Sequence, residues 1–380
     1  MENFIAYNPT VIHFGQDVLK DLGSVVASYG KRILFVYGKG SIKEIGLYDK
    51  VIQQLEKEKL RIYEYSGIRP NPVIEDVDSA SALGKLKDID CIVAVGGGSV
   101  IDSAKAIAIG TPAFHSAWDF FTGKAKPKEA IPVIAVLTLA ATGTEMNKFA
   151  VIQNNKSKAK LGFGHDLMYP KHSFLDPQFT LSVPKNYTAF GVADLIAHAL
   201  ETYFGKGEAT LPDRFVYSIV KEAMNYGPEL LNDLSNVALR GKIMYAATMA
   251  LNGLTMHGRA HGDWGVHSMG HVLSVLYDVP HGASLTISYP AWMRLMAERM
   301  PERMAELGKN LFDVNTPEDT INRLEDFFRN TSCPVRLIDS GIDESKHQQI
   351  KDAFVKNKVG GMHFQMSEAD YDRLITLMAN

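Results

Sequence analysis

The sequence predicts an α/β domain with a parallel sheet in its N-terminal half and an all-α domain in its C-terminal half. Three observations lead to this prediction. Short apolar runs alternate with helical patterns up to about residue 183, strand-like runs become scarce beyond it, and 380 residues are more than one compact core usually holds. We place the boundary near Ser182-Val183-Pro184, which gives domains of residues 1–183 and 184–380.

Strands are expected in the first half where short apolar runs end at turn-forming residues. These runs are 32–37, 61–65, 91–95 and 132–137. Helices are expected over 44–59, 74–87 and 100–109, where apolar residues recur at helical spacing. Because strands that alternate with helices form parallel sheets covered on both faces, these runs should share one buried sheet.

Long amphipathic patterns dominate the second half. They predict helices over 187–205, 214–232, 237–256, 263–276, 284–306, 317–330, 344–356 and 367–378.

The composition argues against several classes of function. The 40 basic and 43 acidic residues give a net charge of −3, which provides no electrostatic footprint for nucleic acid or an anionic membrane. No apolar run is long enough to span a membrane, and the N-terminus lacks a signal-peptide pattern. Two cysteines make no disulfide framework. A cytoplasmic protein without nucleic-acid or membrane partners is expected.

A glycine-rich turn, Gly96-Gly97-Gly98-Ser99, joins a predicted strand directly to a predicted helix. Glycine lets the backbone approach a pyrophosphate closely, and the helix N-terminus offers unpaired N–H groups. The spacing differs from the G-x-G-x-x-G fingerprint, so the usual dinucleotide inference does not apply. The turn either binds a phosphate group or is a tight connection without a ligand.

A second polar turn, residues 138–145, follows the strand that ends at Leu137. Ligands of open parallel sheets bind beyond the carboxyl ends of the strands, so both turns should face one crevice. The threonines of this turn either contact a ligand there or cap the local backbone.

The second half contains a group of residues that could hold a metal ion. Asp194 and His198 are four residues apart, which places them on one face of a helix, and His267 and His271 repeat this spacing. His281 follows shortly after. One aspartate and three histidines would suit Zn²⁺ or Fe²⁺ in a site open to a substrate oxygen. Unrelated helical histidines would give the same spacings.

Taken together, these motifs resemble those of the iron-containing alcohol dehydrogenase family, in its butanol dehydrogenase branch. The resemblance covers essentially the whole chain. The matching segments are Asn8-Pro9-Thr10, His13-Phe14-Gly15, 37–43, Pro70-Asn71-Pro72, 96–102 with Lys105, 138–147, Asp176-Pro177, Asp194 with His198, and His267, His271 and His281.

The resemblance implies a nucleotide-binding α/β domain and a helical catalytic domain, as in the fold shared with dehydroquinate synthase, with the active site in the cleft between them. It also implies a homodimer. The activity implied is hydride transfer between a nicotinamide cofactor and a small primary alcohol or aldehyde such as butanol or butanal. A metal would supply Lewis acidity for this chemistry, as Fe²⁺, Zn²⁺ or Ni²⁺.

The same resemblance implies particular site residues. The metal ligands would be Asp194, His198, His267 and His281. The cofactor pyrophosphate would be held by Gly97, Gly98 and Ser99, and the cofactor crevice lined by Asn71, Asp102, Thr138, Thr142, Asn147 and Lys160. His267 would take part in catalysis as a ligand. His271 would lie beside the nicotinamide ring, either relaying a proton or holding the cofactor ribose or amide.

The turn after the first predicted strand bears on the choice of cofactor. An acidic residue at such a strand end binds the ribose hydroxyls and repels a 2′-phosphate, and members that prefer NAD often carry Asp at the position of Gly38. Here Gly38 is neutral, Lys39 adds a positive charge and Ser41 adds a hydroxyl. We therefore expect NADP(H) to be preferred over NAD(H). Alternatively, Gly38 and Gly40 only shape the turn and Lys39 points to solvent.

Two alternatives belong to other classes of function. A metal-dependent lyase of the dehydroquinate synthase type would need several Lys and Arg residues for its anionic substrate. Only Arg259 lies near the metal motifs in sequence, whereas Trp264, Met269 and Val272 are apolar. A protein that only binds the cofactor would show affinity without turnover. The sequence favours a dehydrogenase acting on a small, weakly charged substrate.

Overall fold

The computed structural model describes residues 1–380, which divide into two compact units. The sheet unit comprises Tyr7–Val183 and Ser235–Thr248, and the helical unit comprises Met1–Ala6, Pro184–Leu234 and Met249–Asn380. A boundary at residue 183 would place residues 1–6 with the sheet and residues 235–248 with the helices. In the structure, residues 1–6 pack with the helical unit and residues 235–248 pack with the sheet unit. The functional division at that boundary remains a prediction.

The sheet unit is built on a six-stranded sheet in which every paired strand is parallel. Its strands are β1 (Val11–Phe14), β2 (Arg32–Tyr37), β3 (Arg61–Tyr65), β4 (Cys91–Gly96), β5 (Val133–Leu137) and β8 (His172–Leu175). Their order is β1-β8-β5-β4-β2-β3. The predicted parallel sheet is confirmed. The carboxyl ends of β2, β4 and β5, which carry the predicted binding turns, are adjacent.

Helices cover both faces of this sheet. They are α1 (Leu22–Ala27), α2 (Ser41–Glu44), α3 (Leu47–Lys57), α4 (Ile74–Leu86), α5 (Gly98–Gly110) and α6 (Trp118–Phe121). Along β2, Leu34 and Val36 belong to one buried apolar cluster, whereas Ile33 and Phe35 belong to another. Alternate side chains of the strand therefore enter different cores, which explains why its sequence is apolar throughout.

Four strands were not predicted from the sequence. Two are β1 and β8, and the others form an antiparallel hairpin, β6 (Phe149–Asn154) and β7 (Ala159–Gly164). β1 and β8 have four residues each and include His13 and His172. Their apolar runs are too short and too interrupted to stand out.

The helical unit contains no strand. Its helices are α7 (Lys185–Tyr203), α8 (Thr210–Asn232), α10 (Gly265–Tyr277), α11 (His281–Ala297), α12 (Pro301–Phe312), α13 (Pro317–Asn330), α14 (His347–Asn357) and α15 (Glu368–Ala379). Helix α9 (Val237–Ala250) lies mostly in the segment that packs with the sheet unit. The all-helical prediction for the second half is confirmed. None of the helices combines the length and apolar character needed to cross a membrane.

The single helix predicted over residues 284–306 is wrong. The structure has two helices there, with α11 ending at Ala297 and α12 beginning at Pro301. Proline has no N–H to donate, so it is favoured in the first turn of a helix and interrupts a continuing one. The apolar periodicity runs through this break, which is why the pattern alone suggested one helix.

Candidate metal centre and nucleotide-binding turns

The predicted metal ligands meet around one carboxylate oxygen of the helical unit. Asp194 and His198 lie one turn apart on α7, and the Oδ1 atom of Asp194 is 3.5 Å from Nδ1 of His198. The same oxygen is 3.8 Å from Nε2 of His267 and 3.7 Å from Nε2 of His281. Three helices thus bring four candidate ligands together, although their spacing along the chain exceeds 80 residues.

Glycines allow these helices to approach one another closely. A Cβ atom at Gly282 would lie 2.2 Å from the backbone oxygen of Phe190 on α7, so only glycine permits the start of α11 to approach α7. At Gly270 on α10, a Cβ would lie 2.7 Å from Oγ of Ser284 on α11. His281, the first residue of α11, is brought beside α7 by this close packing.

The chemistry of this group fits a divalent cation. Ligand atoms of Asp194, His267 and His281 all lie within 4.8 Å of one another. The Oδ1 atom of Asp194 and the Nε2 atom of His267 are buried and make no hydrogen bond, which is costly unless an ion satisfies them. Burial lowers the pKa of His267, but Asp194 and Glu201 outweigh this effect and raise it to about 9. Positive charge is therefore favoured between the two carboxylates.

Two further rings lie beside the candidate metal ligands. The ring of Trp264 lies 5.5 Å from that of His267 and 6.4 Å from that of His198. The ring of His271 lies 5.5 Å from that of His281, one helical turn beyond His267. The other two apolar residues singled out from the sequence, Met269 and Val272, are buried on the same helix as His267.

Sequence reasoning missed Glu201, which is fully buried and contacts a candidate ligand directly. Its Oε1 atom lies 2.9 Å from Nδ1 of His267. Glu201 follows His198 by three residues and Asp194 by seven on α7, so all three share one face of the helix. That spacing could have indicated from the sequence that Glu201 lies beside the candidate ligands.

The two predicted binding turns lie side by side in the sheet unit. Strands β4 and β5 are neighbours, and the turns follow their carboxyl ends. A Cβ atom at Gly98 would lie 2.8 Å from the Thr142 side chain, so glycine permits this close contact. Thr142 also accepts a long hydrogen bond of 3.4 Å from the N–H of Thr144, which makes it in part a local cap.

Beneath these turns lies a buried network centred on Lys105. Its Nζ atom donates to Oγ1 of Thr144 at 2.7 Å, Oδ1 of Asn147 at 3.1 Å and the carbonyl of Phe149 at 2.8 Å. Burial lowers the pKa of Lys105 to about 7, and Asp102 opposes this shift. The network ties α5 to the second turn and to β6. Lys105 therefore supports the second turn, a role that the sequence motif did not reveal.

The remaining predicted cofactor residues differ in the hydrogen bonds that they make within the protein. Both amide atoms of Asn147 are used by the protein, since Nδ2 donates to Gly143 and Oδ1 accepts from Lys105 and Phe149. The Oδ1 atom of Asn71 accepts from Nζ of Lys160 at 2.8 Å. Asn147 therefore supports the turn, and the other two residues join the loop before α4 to β7.

Asp102 lies on α5 and also supports the turns. It accepts hydrogen bonds from Oγ1 of Thr144 at 2.5 Å and from the N–H of Val151 at 2.8 Å. Thr138 continues the sheet beyond β5, because its N–H donates to the carbonyl of Gly96 at 3.0 Å.

Gly38 follows β2 beside the glycine-rich turn. A Cβ atom there would lie 3.5 Å from the carbonyl of Ile68 and 4.0 Å from Val100 in the first turn of α5, which are ordinary contacts. Lys39 and Ser41 are exposed. The three predicted determinants of cofactor choice therefore belong to an open turn that would accommodate a side chain at position 38.

Comparison with known proteins gives two matches to profiles of one family. Residues 9–177 match the profile described as iron-containing alcohol dehydrogenase. Residues 188–376 match the profile described as the C-terminal part of the Fe-containing alcohol dehydrogenase family.

Individual relatives align over nearly the full length of the chain. A probable NADH-dependent butanol dehydrogenase of Bacillus subtilis is 41% identical, over 97% of this chain and 98% of its own. The NADPH-dependent aldehyde reductase of Escherichia coli is 33% identical over 91% of each. The crystal structure of an NADH-dependent butanol dehydrogenase from Thermotoga maritima superposes with a TM-score of 0.96 and 35% identity, covering 100% of this chain and 99% of that one.

Proposed function

Because this chain belongs to the iron-containing alcohol dehydrogenase family, we propose that it transfers a hydride between NADP(H) or NAD(H) and a small primary alcohol or aldehyde. The observation that carries the proposal is the buried Oδ1 atom of Asp194, which three imidazole nitrogens approach within 3.5 to 3.8 Å. The names of the relatives support the reaction class, since they are dehydrogenases and reductases that use NADH or NADPH.

In this proposal, Asp194, His198, His267 and His281 hold one divalent ion, Fe²⁺ or Zn²⁺, with Ni²⁺ as a further option. Such an ion would act as a Lewis acid on the substrate oxygen. The mixed carboxylate and imidazole set suits these metals. His267 contributes to catalysis through its place in this set.

The proposed cofactor site is the crevice formed by the turns of the sheet unit. The backbone of Gly97 and Gly98, with Ser99, would bind the pyrophosphate at the start of α5, where unpaired N–H groups favour an anion. The surrounding residues would be Gly38, Lys39, Ser41, Asn71, Asp102, Thr138, Thr142, Asn147 and Lys160. The bound nicotinamide would supply the hydride donor or acceptor.

Two side chains of the helical unit have proposed roles beside the metal ligands. Trp264 would exclude water and contact the apolar part of the substrate. His271, next to His281, would either take up the proton of the alcohol or hold the cofactor. Imidazole suits the first role because it titrates near neutral pH.

The surroundings of Arg259 disfavour the dehydroquinate synthase-type alternative. This guanidinium is buried, forms an ion pair with Asp213 and donates to the carbonyl of Gly207. It is therefore engaged by the protein instead of being available to a phosphorylated or carboxylated substrate. The arrangement supports a small, weakly charged substrate.

The proposal predicts a chain-length preference among unbranched aldehydes of about three to eight carbons. Each added methylene buried in an apolar site contributes about 0.8 kcal/mol, so kcat/KM should rise by up to about fourfold per carbon until the pocket is filled. Steady-state rates should be measured with both reduced cofactors after the metal-free protein is loaded with Zn²⁺, Fe²⁺ or Ni²⁺. A marked preference for phosphorylated or dicarboxylate substrates would contradict the proposal, and cofactor binding without any turnover would indicate a binding protein.

We also propose that the enzyme is a cytoplasmic homodimer. The two cysteines, Cys91 and Cys333, are free and buried, in keeping with a reducing compartment. Strand β1 lies at an edge of the sheet, and Val11 and Phe14 on it are 48% and 43% exposed. An edge strand offers unpaired N–H and C=O groups to a second copy of the chain.

A charge on this edge should weaken the dimer. We expect the native protein to sediment at twice the 42.0 kDa mass of the chain, and Val11→Glu to shift it toward the monomer. Leu86→Glu is the control, because Leu86 is an exposed apolar residue of α4 in the same unit. A monomeric native protein, or equal dissociation of both variants, would rule out β1 as the dimer contact.

A further inference from the structure

Glu201 is a buried carboxylate whose hydrogen bonds all come from the start of helix α10. Its Oε2 atom accepts from the backbone N–H of Trp264 at 2.6 Å, and its Oε1 atom accepts from the backbone N–H of His267 at 2.9 Å. The side chain is on α7, so one helix caps another. The first N–H groups of a helix lack partners within it, and a negative charge there is favourable.

A third hydrogen bond distinguishes Glu201 from an ordinary cap. Nδ1 of the His267 ring lies 2.9 Å from the same Oε1 atom. That oxygen already accepts the backbone N–H of His267, and an ionised carboxylate can only accept, so the ring nitrogen is the donor. Nε2 of the ring is then directed toward Oδ1 of Asp194, 3.8 Å away, where it makes no hydrogen bond.

We propose that Glu201 is a positioning residue that directs Nε2 of His267 toward the metal by accepting the Nδ1–H proton of the same ring. This inference rests on the metal site of the proposed function. A carboxylate behind a histidine ligand fixes the ring orientation and the nitrogen that is left to bind the metal. Asp194, His198 and Glu201 share one face of α7, so the same helix supplies two ligands and the support for a third.

Glu201 also holds the backbone next to the site. Trp264 adopts a left-handed conformation with φ of 66°, which is unfavourable for a bulky side chain. Its N–H donates to Glu201, and its ring lies 5.5 Å from that of His267. The carboxylate therefore holds the backbone of Trp264 and the imidazole of His267 through adjoining hydrogen bonds, and its loss should disturb both.

Two variants test the proposal. Glu201→Gln keeps the volume but removes the charge and one acceptor, and Glu201→Met removes both acceptors. We expect the dissociation constant for Zn²⁺, measured by competition with a chromophoric chelator, to rise by about 10- to 100-fold in Glu201→Gln and by more in Glu201→Met. We also expect the Nδ1–H proton of His267, observed by NMR with ¹⁵N-labelled histidine, to exchange slowly with solvent in the native protein and rapidly in the variants.

Glu325→Gln is the matched control, because Glu325 is a buried carboxylate of the same unit that pairs with Arg294 and Arg336. It should lower thermal stability without changing Zn²⁺ affinity or the exchange of the His267 proton. If both Glu201 variants bind Zn²⁺ within twofold of the native protein and retain slow exchange, Glu201 is only a helix cap and the proposal is wrong. If Glu201→Met does not fold, Glu201→Gln decides the question alone.

Failure of the proposed function would give a different result. A native protein that bound no Zn²⁺, Fe²⁺ or Ni²⁺ would contradict the metal site. The exchange of the Nδ1–H proton in metal-free native protein and in Glu201→Gln would still reveal whether Glu201 holds the His267 ring, because that hydrogen bond joins two side chains of the protein and does not involve the nitrogen that would bind the metal.

Discussion

Replacing His267 with alanine is expected to remove most of the bound metal and to lower kcat/KM for aldehyde reduction by about 10³-fold or more. His267 lies on α10, whereas Asp194 and His281 lie on two other helices, so its loss opens one side of the cluster. Lewis-acid stabilisation of several kcal/mol would be lost with the metal, and about 4 kcal/mol corresponds to a factor of 10³. Metal content by mass spectrometry and steady-state kinetics measure the two effects.

His257→Ala is the matched control for this experiment. His257 belongs to the same unit, but its ring stacks on Phe4 at 4.8 Å and is not part of the candidate ligand group. The control should retain metal and turnover, and circular dichroism should show that both variants are folded. Full activity of His267→Ala with an unchanged metal stoichiometry would remove His267 from the ligand set.

The sequence predicted the fold best where a strand is buried on both faces. Such strands, like β2 and β4, are continuous apolar runs because alternate side chains enter different cores. Strand β1 was not predicted, because a four-residue edge strand with partly exposed side chains does not need a continuous apolar run. The break before Pro301 was missed because apolar periodicity continues across two consecutive helices.

The candidate site was predictable only in part. Its residue types could be identified from the sequence, but the contacts between distant helices that bring them together could not. Asp194 and His198 could be paired from their spacing, since a helix fixes their relative position. The approach of His281 depends on the contact of Gly282 with Phe190, which no local pattern encodes. Glu201 was overlooked because a glutamate on a helix usually faces solvent, and only tertiary packing buries it against α10.

The second large expected effect concerns the turn after β2, whose residues we expect to determine the preference between NADP(H) and NAD(H). The names of the relatives specify both cofactors: four that are 35–41% identical are NADH-dependent butanol dehydrogenases, and one that is 33% identical is an NADPH-dependent aldehyde reductase. We expect this enzyme to prefer NADP(H) and to retain some activity with NAD(H). Gly38 adds no negative charge at the proposed position of the adenine ribose, and the exposed side chains of Lys39 and Ser41 would offer a cation and a hydroxyl to a 2′-phosphate. If Lys39 points to solvent, this preference should be absent.

Gly38→Asp should reverse the preference, and the structure permits the substitution. A Cβ atom at position 38 meets its nearest neighbour at 3.5 Å, and the backbone there is not left-handed. The new carboxylate would accept hydrogen bonds from the ribose hydroxyls of NAD(H) and repel a 2′-phosphate. A charged contact of about 1.5–3 kcal/mol corresponds to roughly 10- to 100-fold in affinity, so the ratio of kcat/KM for the two cofactors should move by that factor toward NADH. Gly38→Asn adds a side chain of the same size without the charge and should move the ratio much less. A native enzyme that already favours NADH, or a ratio that Gly38→Asp leaves unchanged, would show that this turn does not select the cofactor.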